Sequence, residues 1–166
     1  MRRRLLAVAL ILAAVVTVFA TLPRSPSAAA GHDGAEFGLF VPTEIKWKKG
    51  PPTLPKGALL AVLEGDPAKN GPFVMRVKLP DGYKVPPHTH PATERVTVLE
   101  GTFYIGMGDK FDAKEGRVMP AGSFGYWGAG MKHFAWVKGE TIIQLNGVGP
   151  WTIKYVNPDD DPRNQK

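Results

Sequence analysis

The chain has 166 residues, 43% of them hydrophobic, which is enough material for one domain with a core and too little for two. Its 19 Gly and 16 Pro exclude a helical bundle or a coiled coil, and the absence of Cys excludes disulfides, zinc-thiolate sites and a lipoprotein anchor. The formal charge of +6 owes much to Arg2, Arg3, Arg4 and Arg24; from Gly31 onward 17 Lys and Arg face 15 Asp and Glu, so no nucleic-acid partner is expected.

In chain order, residues 1–30 read as a signal peptide. Arg2 to Arg4 form a cationic start, Leu5 to Ala20 an apolar run, and Ala28-Ala29-Ala30 a cleavage site before Gly31. The expectation is an exported protein, periplasmic or secreted, with no stable membrane association after cleavage. A retained membrane anchor is the alternative reading, because the apolar run approaches the length that spans a bilayer. Residues 31–57, with Pro51, Pro52 and Pro55, are expected to form an extended N-terminal arm.

The domain proper is expected over residues 58–156 as a series of short strands. Ala58 to Glu64 is a strand candidate closed by Gly65-Asp66-Pro67, and Phe73 to Leu79 alternates apolar and polar residues with the period of a half-buried strand. Arg95 to Glu100 and Thr102 to Gly108 read as a hairpin turning at Gly101. Gly116 to Met119, Ser123 to Trp127, His133 to Lys138, Glu140 to Val148 and Trp151 to Val156 complete the set, and the tail 157–166 is polar and expected to be mobile. No segment after residue 30 keeps a helical period for three turns. The fold class is therefore all-β, a jelly roll or small barrel in a single domain.

Four histidines occur in the whole chain, and three bear on chemistry. His88 and His90 follow Pro86-Pro87 two residues apart, so in an extended segment both imidazoles leave the same face, and Glu94 comes four residues later. Imidazole nitrogens and a carboxylate are ordinary ligands for Zn, Mn, Fe, Ni or Cu. A fourth ligand must come from elsewhere, and His133 is the remaining candidate imidazole inside the domain.

These residues resemble the cupin superfamily. Gly82, five residues, His88, Thr89, His90, three residues, Glu94, six residues and Gly101 match its first motif without a departure. Its second motif lies on Gly122, Gly130 and His133, with Gly128 where the family has Pro and Val137 where it has Asn. The closing run from Gly149-Pro150-Trp151 to Asn157-Pro158 resembles that of small exported single-domain bacterial cupins. The resemblance implies a double-stranded β-helix, a jelly-roll barrel, with one divalent transition metal held by His88, His90, Glu94 and His133. It implies a small-molecule ligand and, with the metal's open positions, a metalloenzyme of dioxygenase or isomerase/lyase type acting on a small oxygenated molecule. The other reading is a non-catalytic, metal-dependent binding or sensing module. Catalytic residues are not identified, although Arg95, Tyr104, Tyr126 and Lys132 are candidates for moving a proton. By strand parity with His133, Ala135 and Val137 should stand beside the metal, while Phe134 and Trp136 face away and suggest a covered surface such as a homodimer interface.

Overall fold

The computed structural model describes residues 37–165, and residues 39–166 form one compact unit. The expected signal peptide and the start of the arm lie outside the described residues. Nine strands follow one another in the sequence: β1 (Lys48–Lys49), β2 (Leu59–Glu64), β3 (Gly71–Leu79), β4 (Lys84–Thr89), β5 (Glu94–Met107), β6 (Arg117–Pro120), β7 (Phe124–Trp127), β8 (His133–Gly149) and β9 (Lys154–Tyr155). The only helical elements among the described residues are three short 3-10 turns. Every pairing is antiparallel, as the all-β expectation requires.

Two strands organise everything else. β5 and β8 pair along nearly their whole lengths, from Arg95 opposite Asn146 to Met107 opposite His133, with a break in register between the pairs Glu100–Ile142 and Thr102–Lys138. The first half of β5 and the second half of β8 are flanked by β7 and by β3, β2 and β1. The second half of β5 and the first half of β8 are flanked by β6 and by β4 and β9. One continuous strand pair thus supplies the centre of two arms of a curled sheet. A single hydrophobic cluster joins the arms, with Phe73, Met75, Val77, Val96 and Leu145 from one and Phe103, Ile105, Ala135 and Val137 from the other.

The hairpin expected at Gly101 and the break expected after Lys138 are both corrected by this arrangement. Gly101 (φ 76°) and Gly139 (φ 74°) take up left-handed backbone, which allows a bulge that bends each strand without ending it. Thr141, fully buried, fills the corner: its hydroxyl accepts the Thr102 N–H at 3.2 Å and lies 3.1 Å from the Gly139 carbonyl. The expected period in Phe73 to Leu79 is present, with Phe73, Met75, Val77 and Leu79 buried.

The strand expected over Trp151 to Val156 contracts to Lys154–Tyr155. Trp151 is held instead by its N–H to the Pro67 carbonyl at 2.6 Å. The arm is pinned at two points, because Tyr83 donates its hydroxyl to the Pro55 carbonyl (2.5 Å) and Tyr155 donates to the Thr53 carbonyl (2.8 Å). After β9 the chain makes a 3-10 turn at Pro158–Asp160, and Asp161 is buried in an ion pair with Arg163.

Candidate metal centre

Each candidate ligand is set in place by a local feature of the sequence. In β4, Val85 pairs with Ala135 and His88 with His133, so three residues on β4 span the distance of two on β8. The extra residue falls at Pro86-Pro87, where no backbone N–H exists to continue the ladder. The bulge brings the His88 and His133 rings to 4.2 Å between centroids. His90 leaves the end of β4, its carbonyl accepting the Gly130 N–H at 2.9 Å. The loop of the second motif therefore anchors a residue of the first. Glu94 opens β5 opposite Trp127 on β7, so the carboxylate reaches the three imidazoles from the other arm of the sheet.

His88, His90, Glu94 and His133 are all buried, and four donor atoms, one from each, lie within 4.8 Å of one another. The three rings share one hydrogen-bonding scheme. His88 Nδ1 faces the Pro86 carbonyl at 2.7 Å, His90 Nδ1 the Thr152 carbonyl at 2.7 Å, and His133 Nδ1 the Met131 carbonyl at 2.9 Å. A carbonyl can only accept, so each Nδ1 carries the proton and in the neutral ring each Nε2 keeps its lone pair, that of His133 facing the Trp127 N–H at 3.0 Å. Glu94 Oε2 lies 3.4 Å from His90 Nε2 and 3.2 Å from His133 Nε2. Ligand atoms at about 2.0–2.2 Å from a common ion are separated by roughly this much. The chemistry of the donor set and its spacing fit a transition metal.

Electrostatics agree with the geometry. Burial, reinforced by the neighbouring imidazoles of His133 and His90, pushes His88 down to about 3. His90 is lowered as well, again chiefly by burial, with Glu94 opposing the shift. For Glu94 burial acts to raise the carboxyl, but its close contacts with His133, His90 and His88 outweigh it and leave the group below its ordinary value. Lowered His88 and His90 imidazoles beside a lowered Glu94 carboxyl favour the neutral rings and ionised carboxylate that a divalent ion requires.

Two features of the site have no counterpart in the sequence expectations. Trp127 points its indole Nε1 at Glu94 Oε2 (2.5 Å) and lies 3.0 Å from His133 Nε2. Trp151 stacks on His90, with ring centroids 4.2 Å apart and planes 16° from parallel, while the next residue supplies the carbonyl that holds the same ring. The parity of β7, which places Trp127 on the face opposite Tyr126, is the one signal that could have separated Trp127 from the other aromatics.

A cavity of about 910 Å³ opens from the cluster. Ala135 lines it as expected, whereas Val137 belongs to the hydrophobic core. The four proton-transfer candidates are not among the residues that line it. Tyr104 stacks on Trp136, Tyr126 and Arg95 are exposed, and Lys132 pairs with Asp109 at the surface. Phe134 and Trp136 do face away from the cluster, and the group covering them is Phe111 of the same chain, at 4.9 and 5.5 Å.

Solved structures share this fold. The polyketide cyclase RemF from Streptomyces resistomycificus is 17% identical, with a TM-score of 0.62 over 76% of this chain and 89% of that one. The DMSP lyase DddQ from Ruegeria pomeroyi DSS-3 is 18% identical, with a TM-score of 0.55 over 70% and 64% of the two chains. An RmlC-like cupin from Shewanella frigidimarina is 15% identical, with a TM-score of 0.53 over 69% and 91%. The architecture is that of a cupin. No curated protein matches the sequence. The family described as Domain of unknown function (DUF4437) matches over residues 57–164, which takes in all four clustered side chains and every strand except β1, and the chain belongs to that family.

Proposed function

We propose that the protein is a metal-dependent enzyme in which His88, His90, Glu94 and His133 hold one divalent transition ion, Fe, Mn, Ni, Cu or Zn. The observation that carries this is the uniform pinning of the three Nδ1 atoms by backbone carbonyls, which turns three Nε2 lone pairs and one carboxylate toward a common point. When bound, such an ion polarises a substrate oxygen and, if redox-active, activates dioxygen. The protein's own part is to orient. The carbonyls hold the rings, the Trp127 N–H holds Glu94, and the small side chain of Ala135 leaves room for a substrate oxygen at the cluster. The apolar wall keeps water from competing for that position. The reactions that suit this arrangement are oxidation by dioxygen and an isomerase or lyase step on an oxygenated molecule, and the occurrence of a cyclase and a lyase among proteins of this fold supports an enzymatic reading.

A second reading is favoured by a specific observation. Tyr83 and Tyr155 engage their hydroxyls with the arm, and burial raises both above the ordinary tyrosine range, so neither is poised to give up a proton. With Arg95, Tyr104, Tyr126 and Lys132 also away from the cavity, a metal-dependent binding module is the alternative.

Metal analysis of the purified chain beside His88→Ala and His133→Ala variants tests the ligand set. About one ion per chain, lost in both variants, is expected; equal content in all three would remove the assignment. Fe, Mn, Ni, Cu and Zn forms, each incubated with phenolic, diketone and sugar panels while oxygen uptake and products are followed, separate the two readings. Binding without turnover under every metal would leave the binding module. For the leader we propose cleavage and export: N-terminal sequencing from producing cells is expected to begin near Gly31, and an intact Met1 in washed membranes would favour a retained anchor.

A further inference from the structure

The cavity has two chemically different ends. At its buried end stands the His88, His90, Glu94 and His133 cluster, and its wall is aliphatic, with Met75, Val77 and Leu79 from β3, Ile143 and Leu145 from β8, and Leu54 from the arm. Its volume of about 910 Å³ is near the top of the roughly 300–1,000 Å³ range that accommodates drug-sized ligands. A molecule of a few atoms would leave most of that apolar wall wet. The exposed lining residues, which mark the mouth, include six charged ones, Lys46, Lys48, Lys49 and Arg163 against Glu44 and Asp66, set among the uncharged Phe40, Pro51, Val62 and Ala68. Asp66 is engaged by Lys69 at 3.4 Å and Arg163 by Asp161. Among the described residues none forms an ion pair with Lys46, Lys48 or Lys49. The mouth therefore presents an excess of uncompensated positive charge above an apolar shaft.

We infer that the ligand is an amphipathic organic anion, with an extended apolar body that fills the shaft, a carboxylate or comparable anionic group at the Lys46, Lys48 and Lys49 mouth, and its reacting oxygen function at the cluster. The inference rests on the reading of this cavity as the reaction site and narrows its substrate class from any small oxygenated molecule. The lysines would also steer such a ligand from solution, an effect that salt weakens.

Calorimetric titration of the full chain with decanoate, decanol and decyltrimethylammonium, on metal-loaded and chelator-treated protein, tests it. Decanoate is expected to bind at least tenfold more tightly than decanol in both forms, with no measurable binding of the ammonium. A Lys48→Gln/Lys49→Gln variant should weaken decanoate roughly tenfold and leave decanol unchanged, since two exposed charge contacts together contribute about that factor. Raising NaCl from about 20 to 500 mM should weaken decanoate alone in the wild-type chain, a readout that needs no variant to fold. Equal affinity for decanoate and decanol would overturn the inference. So would a decanoate preference that vanishes on chelation and ignores the lysine substitutions, because the carboxylate would then sit on the metal, leaving the metal reading intact. A chain that carries no metal when purified yet keeps the lysine-dependent preference would sustain this inference and defeat the metal reading.

Discussion

Trp127 acts on the candidate metal centre through Glu94. Its N–H, 2.5 Å from Glu94 Oε2, fixes which carboxylate oxygen turns toward the imidazoles. Partners of this kind typically change metal affinity by roughly 10–100-fold when removed. Trp127→Phe keeps most of the ring volume and deletes the donor, so metal affinity measured by competition with a chelator is expected to fall at least tenfold while the fold is retained. An unchanged affinity would assign Trp127 to packing alone. His88 carries a second residue-scale prediction. Held at about 3 against an ordinary 6.5, it stays neutral in the folded chain while the unfolded chain takes up a proton as pH falls below 6.5. Its contribution to stability is therefore complete above about pH 6.5 and declines toward pH 3. The lowered Glu94 works in the same direction: its contribution is present above its ordinary 4.5 and is lost as pH drops below that. Metal-free protein should lose on the order of 2–3 kcal/mol between pH 7 and about 4.5, read from urea midpoints. His88→Asn should flatten that dependence; a wild-type midpoint that does not move would show that His88 is not buried as a neutral ring.

At the scale of elements, the bend shared by β5 and β8 decides the architecture. At Gly101 the backbone is left-handed, and a Cβ there would run into the Glu140 carbonyl and Thr141. Neither neighbour is a flexible chain end that can step aside. Gly101→Ala is expected to cost about 1–3 kcal/mol or more from backbone strain and overlap, seen as a lowered thermal midpoint. A midpoint within a degree of the wild type would mean that the corner relaxes freely. The same bend places the first half of β5 in one arm of the sheet and its second half in the other, which is how Glu94 comes to approach imidazoles carried by β4 and β8. The short segment between β8 and β9 has a comparable role. It gives up strand geometry so that Trp151 can stack on His90 and Thr152 can accept its Nδ1–H.

Across the whole molecule, the cluster ties the two arms together at one place, and the N-terminal arm, pinned by Tyr83 and Tyr155, forms part of the cavity wall. A metal bound only by the folded arrangement stabilises it by mass action, by about 2.7 kcal/mol at a hundredfold excess over the dissociation constant. Chelation is therefore expected to lower the thermal midpoint by several degrees, and the first equivalent of added ion should restore it. If Glu94→Gln abolishes metal binding and leaves the midpoint equal to that of the loaded wild type, a structural role for the ion is removed and the catalytic and binding readings remain.

Much of this was legible in the chain itself. Gly and Pro density ruled out helices, alternation in Phe73 to Leu79 identified a half-buried strand, and the close spacing of His88, His90 and Glu94 put three donors into one reading because it is a local property, with His133 added as the remaining imidazole of the domain and by the resemblance to the second cupin motif. What depended on tertiary structure is of another kind. Gly101 and Gly139 read equally as turns or as bulges, since a positive φ serves both, and only the pairing of Thr102 with Lys138 across the corner decides for bending. Arg95, Tyr104, Tyr126 and Lys132 have the chemistry of proton carriers, but strand parity and packing direct them away from the cavity. Strand parity could set Trp127 apart from its exposed neighbours but not assign its role, and Trp151 has not even that mark, because both roles consist of contacts with Glu94 and His90, 33 and 61 positions away in sequence. The lysines at the mouth are 39 or more residues from the nearest donor of the cluster, and their common cavity exists only once the arm has folded onto the barrel.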